Sequence, residues 1–233
     1  MVLSMLRTGL SAGLLVLTAL VCGSCASPSG TCSADELATA LMTAPSGTII
    51  EIGECQIEGR FTVPAGVTLR GHGPRSILTS SGTAIELAGD GASLESVRVE
   101  HGSGHGIVAV GTGSIAVRSV EIRSTLGRAA IGVEGPSSVV LSDVIATGPV
   151  TRANAAMVPA AATAMNTALY GILLVGVGDA RLERVTVSGF GTTGVAASDT
   201  TLTWQTGTVT ENLGIGVWID GGSATLEDVV ISD

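Results

Sequence analysis

The chain has 233 residues, enough for a single domain with a sizeable core. Only 13% of the residues are charged and 2% aromatic, so any core must be built from Val, Ile, Leu and Ala. The 11 basic residues are all Arg, and a formal net charge of -9 argues against a nucleic-acid partner, which needs clustered cations to meet phosphates.

Residues 1–24 read as a signal peptide. Arg7 supplies the positive start, and Leu10 to Val21 is an apolar run of the right length for its hydrophobic core, short for a bilayer span. Two cleavage sites compete. Cys22-Gly23-Ser24-Cys25 resembles a bacterial lipobox, which would leave Cys25 lipidated and residues 25–32 as a tether. Ser24-Cys25-Ala26 is a small-x-small site for ordinary signal peptidase. The first makes the protein an outer membrane lipoprotein, periplasmic or at the cell surface, touching the membrane only through its lipid anchor. The second makes it secreted. Both leave Cys32 and Cys55 as the remaining thiols, and one pair in an exported protein reads as one disulfide. Closing that loop contributes about 3–4 kcal/mol in the chain-entropy model.

Next in the chain, Ser33-Ala34-Asp35-Glu36 forms a capping box, followed by Leu37, Ala38, Leu41 and Met42 at helical spacing. Pro45-Ser46-Gly47 ends this segment, giving a short N-terminal capping helix within residues 33–47. Residues 48–233 read as strand and turn. A six-residue pattern, apolar-x-x-apolar-x-apolar, recurs as Leu94-Val97-Val99, Val117-Val120-Ile122, Leu141-Val144-Ala146, Leu182-Val185-Val187, Trp204-Gly207-Val209 and Leu226-Val229-Ile231. Its first positions are separated by 23, 24, 41, 22 and 22 residues. A second short apolar strand precedes each copy: Ile85-Leu87, Val108-Val110, Ile131-Val133, Ile172-Leu174, Val195-Ala197 and Val217-Ile219. Short strands repeating at this period predict an all-β solenoid, a right-handed parallel β-helix in which each turn buries its apolar side chains against the next. Leucine-rich repeats share the period, but their Leu/Asn signature and helical half are missing.

Two features support that register. Trp204 takes a Leu position while Gly207 takes the following Val position, as if volume were conserved within one layer. Stacking consecutive copies also sets Glu95 against Arg118, Arg98 against Glu121, Glu100 against Arg123 and, across the long interval, Asp143 against Arg184. The long interval is one turn plus about 18 residues, which predicts a loop inserted at about 149–169.

The stretch Leu37 to Gly73, with its leader helix, Pro45-Ser46-Gly47-Thr48-Ile49 and Val67-Thr68-Leu69-Arg70-Gly71, resembles the opening of pectate-lyase-like right-handed β-helix proteins. Asn212-Leu213-Gly214-Ile215-Gly216-Val217 is similar to a turn common in their repeats. The resemblance implies a fold over residues 33–233. It leaves activity open, because that superfamily includes lyases, hydrolases, epimerases, adhesins and spacers.

Chemistry is sparse. The charged residues sit mainly in the complementary pairs above, and Asp90, Asp179, Asp199 and Asp220 fall at turns. No cofactor is expected; calcium between neighbouring turns is the one ion these aspartates would admit. Gly104-His105-Gly106 and Gly71-His72-Gly73 resemble a polygalacturonase motif, but its Asp pair and Arg-Ile-Lys strand are missing, so both read as tight turns. No third ligand accompanies His101 and His105, and no metal is assigned. Binding fits better. Strand alternation points Leu173, Ala196 and Trp218 outward in one column, where Trp218 would stack on a sugar ring or meet a protein. The expected function is an exported, non-catalytic β-helix displaying a surface for a polysaccharide or envelope protein. The alternative is a lyase or epimerase with cryptic or missing catalytic turns. Asp233 directly follows the last core strand, so a C-terminal cap is missing from the sequence, and a fragment or end-to-end self-association is expected.

Overall fold

A computed structural model describes residues 30–135, 138–150 and 168–232. The expected signal peptide, Cys25, most of the tether and most of the inserted loop lie outside the described residues.

The helix α1 spans Ala34–Thr43. Ser33 caps it by accepting the Glu36 N–H, but the return half of the capping box is absent. Instead the Thr31 hydroxyl donates to the Glu36 carboxylate (2.8 Å) and accepts the Ser33 N–H (3.2 Å). Leu37 and Leu41, one turn apart on the inner face, are buried in the main core against the first coil. The Cys32–Cys55 disulfide is formed, with Cα atoms 5.9 Å apart. It joins the segment leading into α1 to the first coil, where Thr31 also bridges Ile52.

The rest is a parallel β-solenoid whose coils each contribute strands to three faces. On the first face the inward column runs Ile50, Leu69, Leu94, Val117, Leu141, Leu182, Trp204, Leu226. On the second it runs Ile57, Leu78, Val99, Ile122, Ala146, Val187, Val209, Ile231. On the third it runs Phe61, Ile85, Ile107, Ile131, Ile172, Val195, Val217. Through Trp204, Val209 and Val195 these columns meet in one continuous core, while Leu226 and Ile231 on the last strand are exposed. The expected second copy of the third-face strand is off by one residue: Ile107 and Ala109 point inward, while Val110 is exposed. The spacing is 22 residues from Ile85 to Ile107 and 24 from Ile107 to Ile131, so a constant 23 picks the wrong pair.

From the coil of Leu94 onward, the chain bends between the first and second faces through one left-handed residue per coil: Ser96, Ser119, Asp143, Arg184, Thr206 and Asp228, with φ from 53° to 59°. Left-handed backbone is unfavourable for non-glycine residues. Its recurrence at the same pattern position shows that stacking fixes the bend. The coil also ignores the 41-residue interval: Ile131 pairs with Ile172 and Leu141 with Leu182, as neighbouring turns do elsewhere.

Three of the four expected charge pairs form: Arg118–Glu95 at 3.4 Å, Arg98–Glu121 at 3.1 Å, and Arg184–Asp143 through two bonds of 2.6 and 3.0 Å. The fourth is aligned in register but not bonded as expected. Arg123 turns along its own strand to Glu121 (2.7 Å), and Arg98 lies between Glu121 and Glu100. The first-face ladder begins earlier than expected, running Glu51–Arg70–Glu95–Arg118 with alternating sign.

Candidate functional site

The outer surface of the third face carries the expected column. Gly132 pairs with Leu173, Leu173 with Ala196 and Ala196 with Trp218, all pointing away from the core. Outward direction and exposure part company here. Leu173 is 7% exposed and Ala196 fully buried, and with Ala129 and the half-buried Tyr170 they form a second apolar cluster separate from the main core. Within this column Trp218, at 41% exposure, is the open apolar side chain, with exposed Ile215 three residues before it. Of the three residues expected on this surface, Trp218 is the exposed one.

Outside, the second face is polar over its early coils and carries exposed Ile145 and Val230 further along. A groove of about 370 Å³ is lined by Gln56, Glu58, Thr79, Glu100 and Thr125, with His101 at its edge. Glu58, Thr79 and Glu100 occupy one outward column on consecutive coils. Sequence reading missed this groove because Glu58 and Thr79 precede the first clear copy of the six-residue pattern.

The histidines hold different places. His72 sits in a corner whose N–H donates to the Ser76 hydroxyl, and its Nε2 lies 3.9 Å from a Glu51 oxygen. His105 lies over Gly132, where an added Cβ would come within 2.6 Å of the imidazole. Its Nε2 has no partner, and burial holds its pKa below the ordinary value. His101 is buried inside the coil against Ser124, at 2.6 Å. Of the turn aspartates, Asp90 accepts the Ser114 N–H from the next coil, and Asp179 pairs with Arg181. Asp143 is held below the usual carboxylate range by its hydrogen bonds from Arg184. Among the described residues no three His, Cys, Asp or Glu side chains are grouped to hold a metal ion, and no helix is long and apolar enough to cross a membrane.

These faces can stack or hydrogen-bond an extended ligand. Comparison with protein-family models, with curated proteins and with solved structures found no match.

Proposed function

We propose that this protein is an exported, non-catalytic β-solenoid that displays a surface for a glycan or a partner protein at the cell envelope. Supporting export are the N-terminal segment and the disulfide, which suits an oxidising compartment. A lipid on Cys25 would hold the coil at a membrane. The observation that carries the binding role is the outward direction of Trp218 in one column with the packed apolar cluster of Leu173 and Ala196. An indole fixed on a rigid sheet presents a flat apolar plane at little entropic cost, and large exposed aromatics mark contact sites. A panel of immobilised polysaccharides tests this. Retention is expected on at least one, with Trp218→Ala binding about tenfold more weakly, a loss of about 1.4 kcal/mol. Equal retention of the variant would remove Trp218 from the site.

A second function, action on a polysaccharide, is favoured by the groove on the second face. Glu58 and Glu100 are two strand spacings apart, about 9–10 Å between backbones. That is close to the separation at which two carboxylates flank a sugar and a water. Incubation of the same panel, with and without calcium, decides between the two. Unsaturated products, new reducing ends or a changed sugar composition, lost in Glu58→Gln, would establish the enzyme; intact polymer of unchanged composition would leave the binding role.

A further inference from the structure

His101 occupies an unusual place in the core. It stands in an inward column between Ser80 and Ser124, at a corner where the second face turns into the third. The side chain is 3% exposed. Its Nε2 is bonded to the Ser124 hydroxyl, and its Nδ1 is buried with no partner. The ring is packed close to Gly106, where an added Cβ would come within 2.9 Å of the imidazole. A neutral ring leaves one nitrogen unpaired there. A protonated ring must place two N–H donors and a full charge in the same space.

The surroundings offer that charge little: the Ser103 backbone favours the proton, but burial and His105 outweigh it. Ser80 and Ser124 on the flanking strands are uncharged, and the Ser80 hydroxyl already accepts the Gly82 N–H. On its own strand Arg98 and Glu100 belong to the outward pairs. From the third face the nearby titratable group is His105, itself under the influence of Arg128 and Glu134, which pair with each other at 3.7 Å. A second imidazole opposes protonation rather than helping it.

His101 also lies beneath the corner's backbone bonds. Its carbonyl accepts the Thr125 N–H and hydroxyl, Leu126 N–H donates to Gly102, and Arg128 N–H to Gly104. The next coil rests on these residues, with Leu169 and Tyr170 N–H groups donating to Gly127 and Arg128.

We propose that this corner is an acid-sensitive latch: neutral His101 holds it closed, and a proton on His101 opens the segments 102–104 and 125–128. Burial, and then the neighbouring His105, lower the His101 pKa from 6.5 to about 4. Above pH 6.5 both closed and opened forms are neutral, and pH has no leverage. Between 6.5 and 4 the opened form takes the proton first, so the opening constant rises about tenfold per pH unit. Below pH 4 the closed form is protonated too, and the effect levels off.

Amide hydrogen exchange on the full chain tests this at single residues, with rates corrected for the intrinsic pH dependence of exchange. Protection at Thr125, Leu126 and Leu169 is expected to fall about tenfold per unit between pH 6.5 and 4.5, while Ser96, bonded to Arg118 on the first face, stays constant. In His101→Gln the fall should vanish, and in His105→Gln it should persist. Should His101→Gln fail to fold, the wild-type imidazole titration read by NMR still decides: the corner amides must lose protection over the same pH range in which the His101 ring charges. Uniform loss across the coil, or ring titration near 6.5 with the corner amides unchanged, overturns the latch.

Discussion

Trp204 fills the column position that Leu94, Leu141 and Leu182 hold in other coils, and it is fully buried. An added Cβ at Gly207 would overlap its indole. One bulky residue has therefore taken space that a Leu and a Val share elsewhere in the pattern, leaving the Trp204 Nε1 without a partner. Gly207→Val should cost about 1–3 kcal/mol through overpacking, and Trp204→Leu up to about 3 kcal/mol through the void it leaves. The double variant restores the usual Leu–Val arrangement and removes the orphaned donor. Denaturant unfolding should show it near wild type, with a coupling above about 1 kcal/mol. Simple additivity would mean that the two positions do not share volume.

At the scale of strands, opposed charges record which residues stack. Arg98 and Glu121 are largely covered, with side chains 20% and 25% exposed. Arg98→Glu faces its new carboxylate toward Glu121 and Glu100, and Glu121→Arg meets Arg98 and Arg123. Each reversal should cost about 0.5–1 kcal/mol, the double reversal should recover part of the loss, and the coupling should shrink at high salt. An absent coupling in low salt would contradict the register. These pairs, with the six-residue pattern, are why the coil was legible in the sequence. The same logic overlooked Arg70, although Leu69-Arg70 parallels Leu94-Glu95, because extra residues at Gly71–Ser76 displace the rest of that copy. The candidate site was less legible. Alternation gives the direction of Leu173 and Ala196, but what packs over them depends on contacts distant in sequence, so their burial could not be read from spacing. The His101–Ser124 contact was hidden for a related reason: a polar pair 23 residues apart leaves no periodic trace.

Taken as a whole, the molecule is a linear stack in which each coil contacts mainly the coils beside it. Stability in such an array is close to a sum of coil and interface contributions, so its ends open more easily than its middle. The N-terminal end is secured by α1, the Thr31–Ile52 bridge and the Cys32–Cys55 disulfide. Replacing both cysteines with Ser should cost about 3 kcal/mol in the chain-entropy model. Exchange mass spectrometry should find the added opening concentrated in residues 31–58, with coils beyond Val99 little changed. Equal loss of protection along the chain would show a cooperative unit rather than a stack.

The unbroken pairing across the 41-residue interval has a consequence for how such a protein diversifies. Because Ile131 meets Ile172 and Leu141 meets Leu182 as neighbouring coils do elsewhere, the pairing on both sides accommodates the residues between Val150 and Ala168, and long insertions between paired strands cost little. Changing the length of that segment is therefore expected to leave the coil's thermal unfolding midpoint within a few degrees, and a large drop would show that the segment is part of the fold.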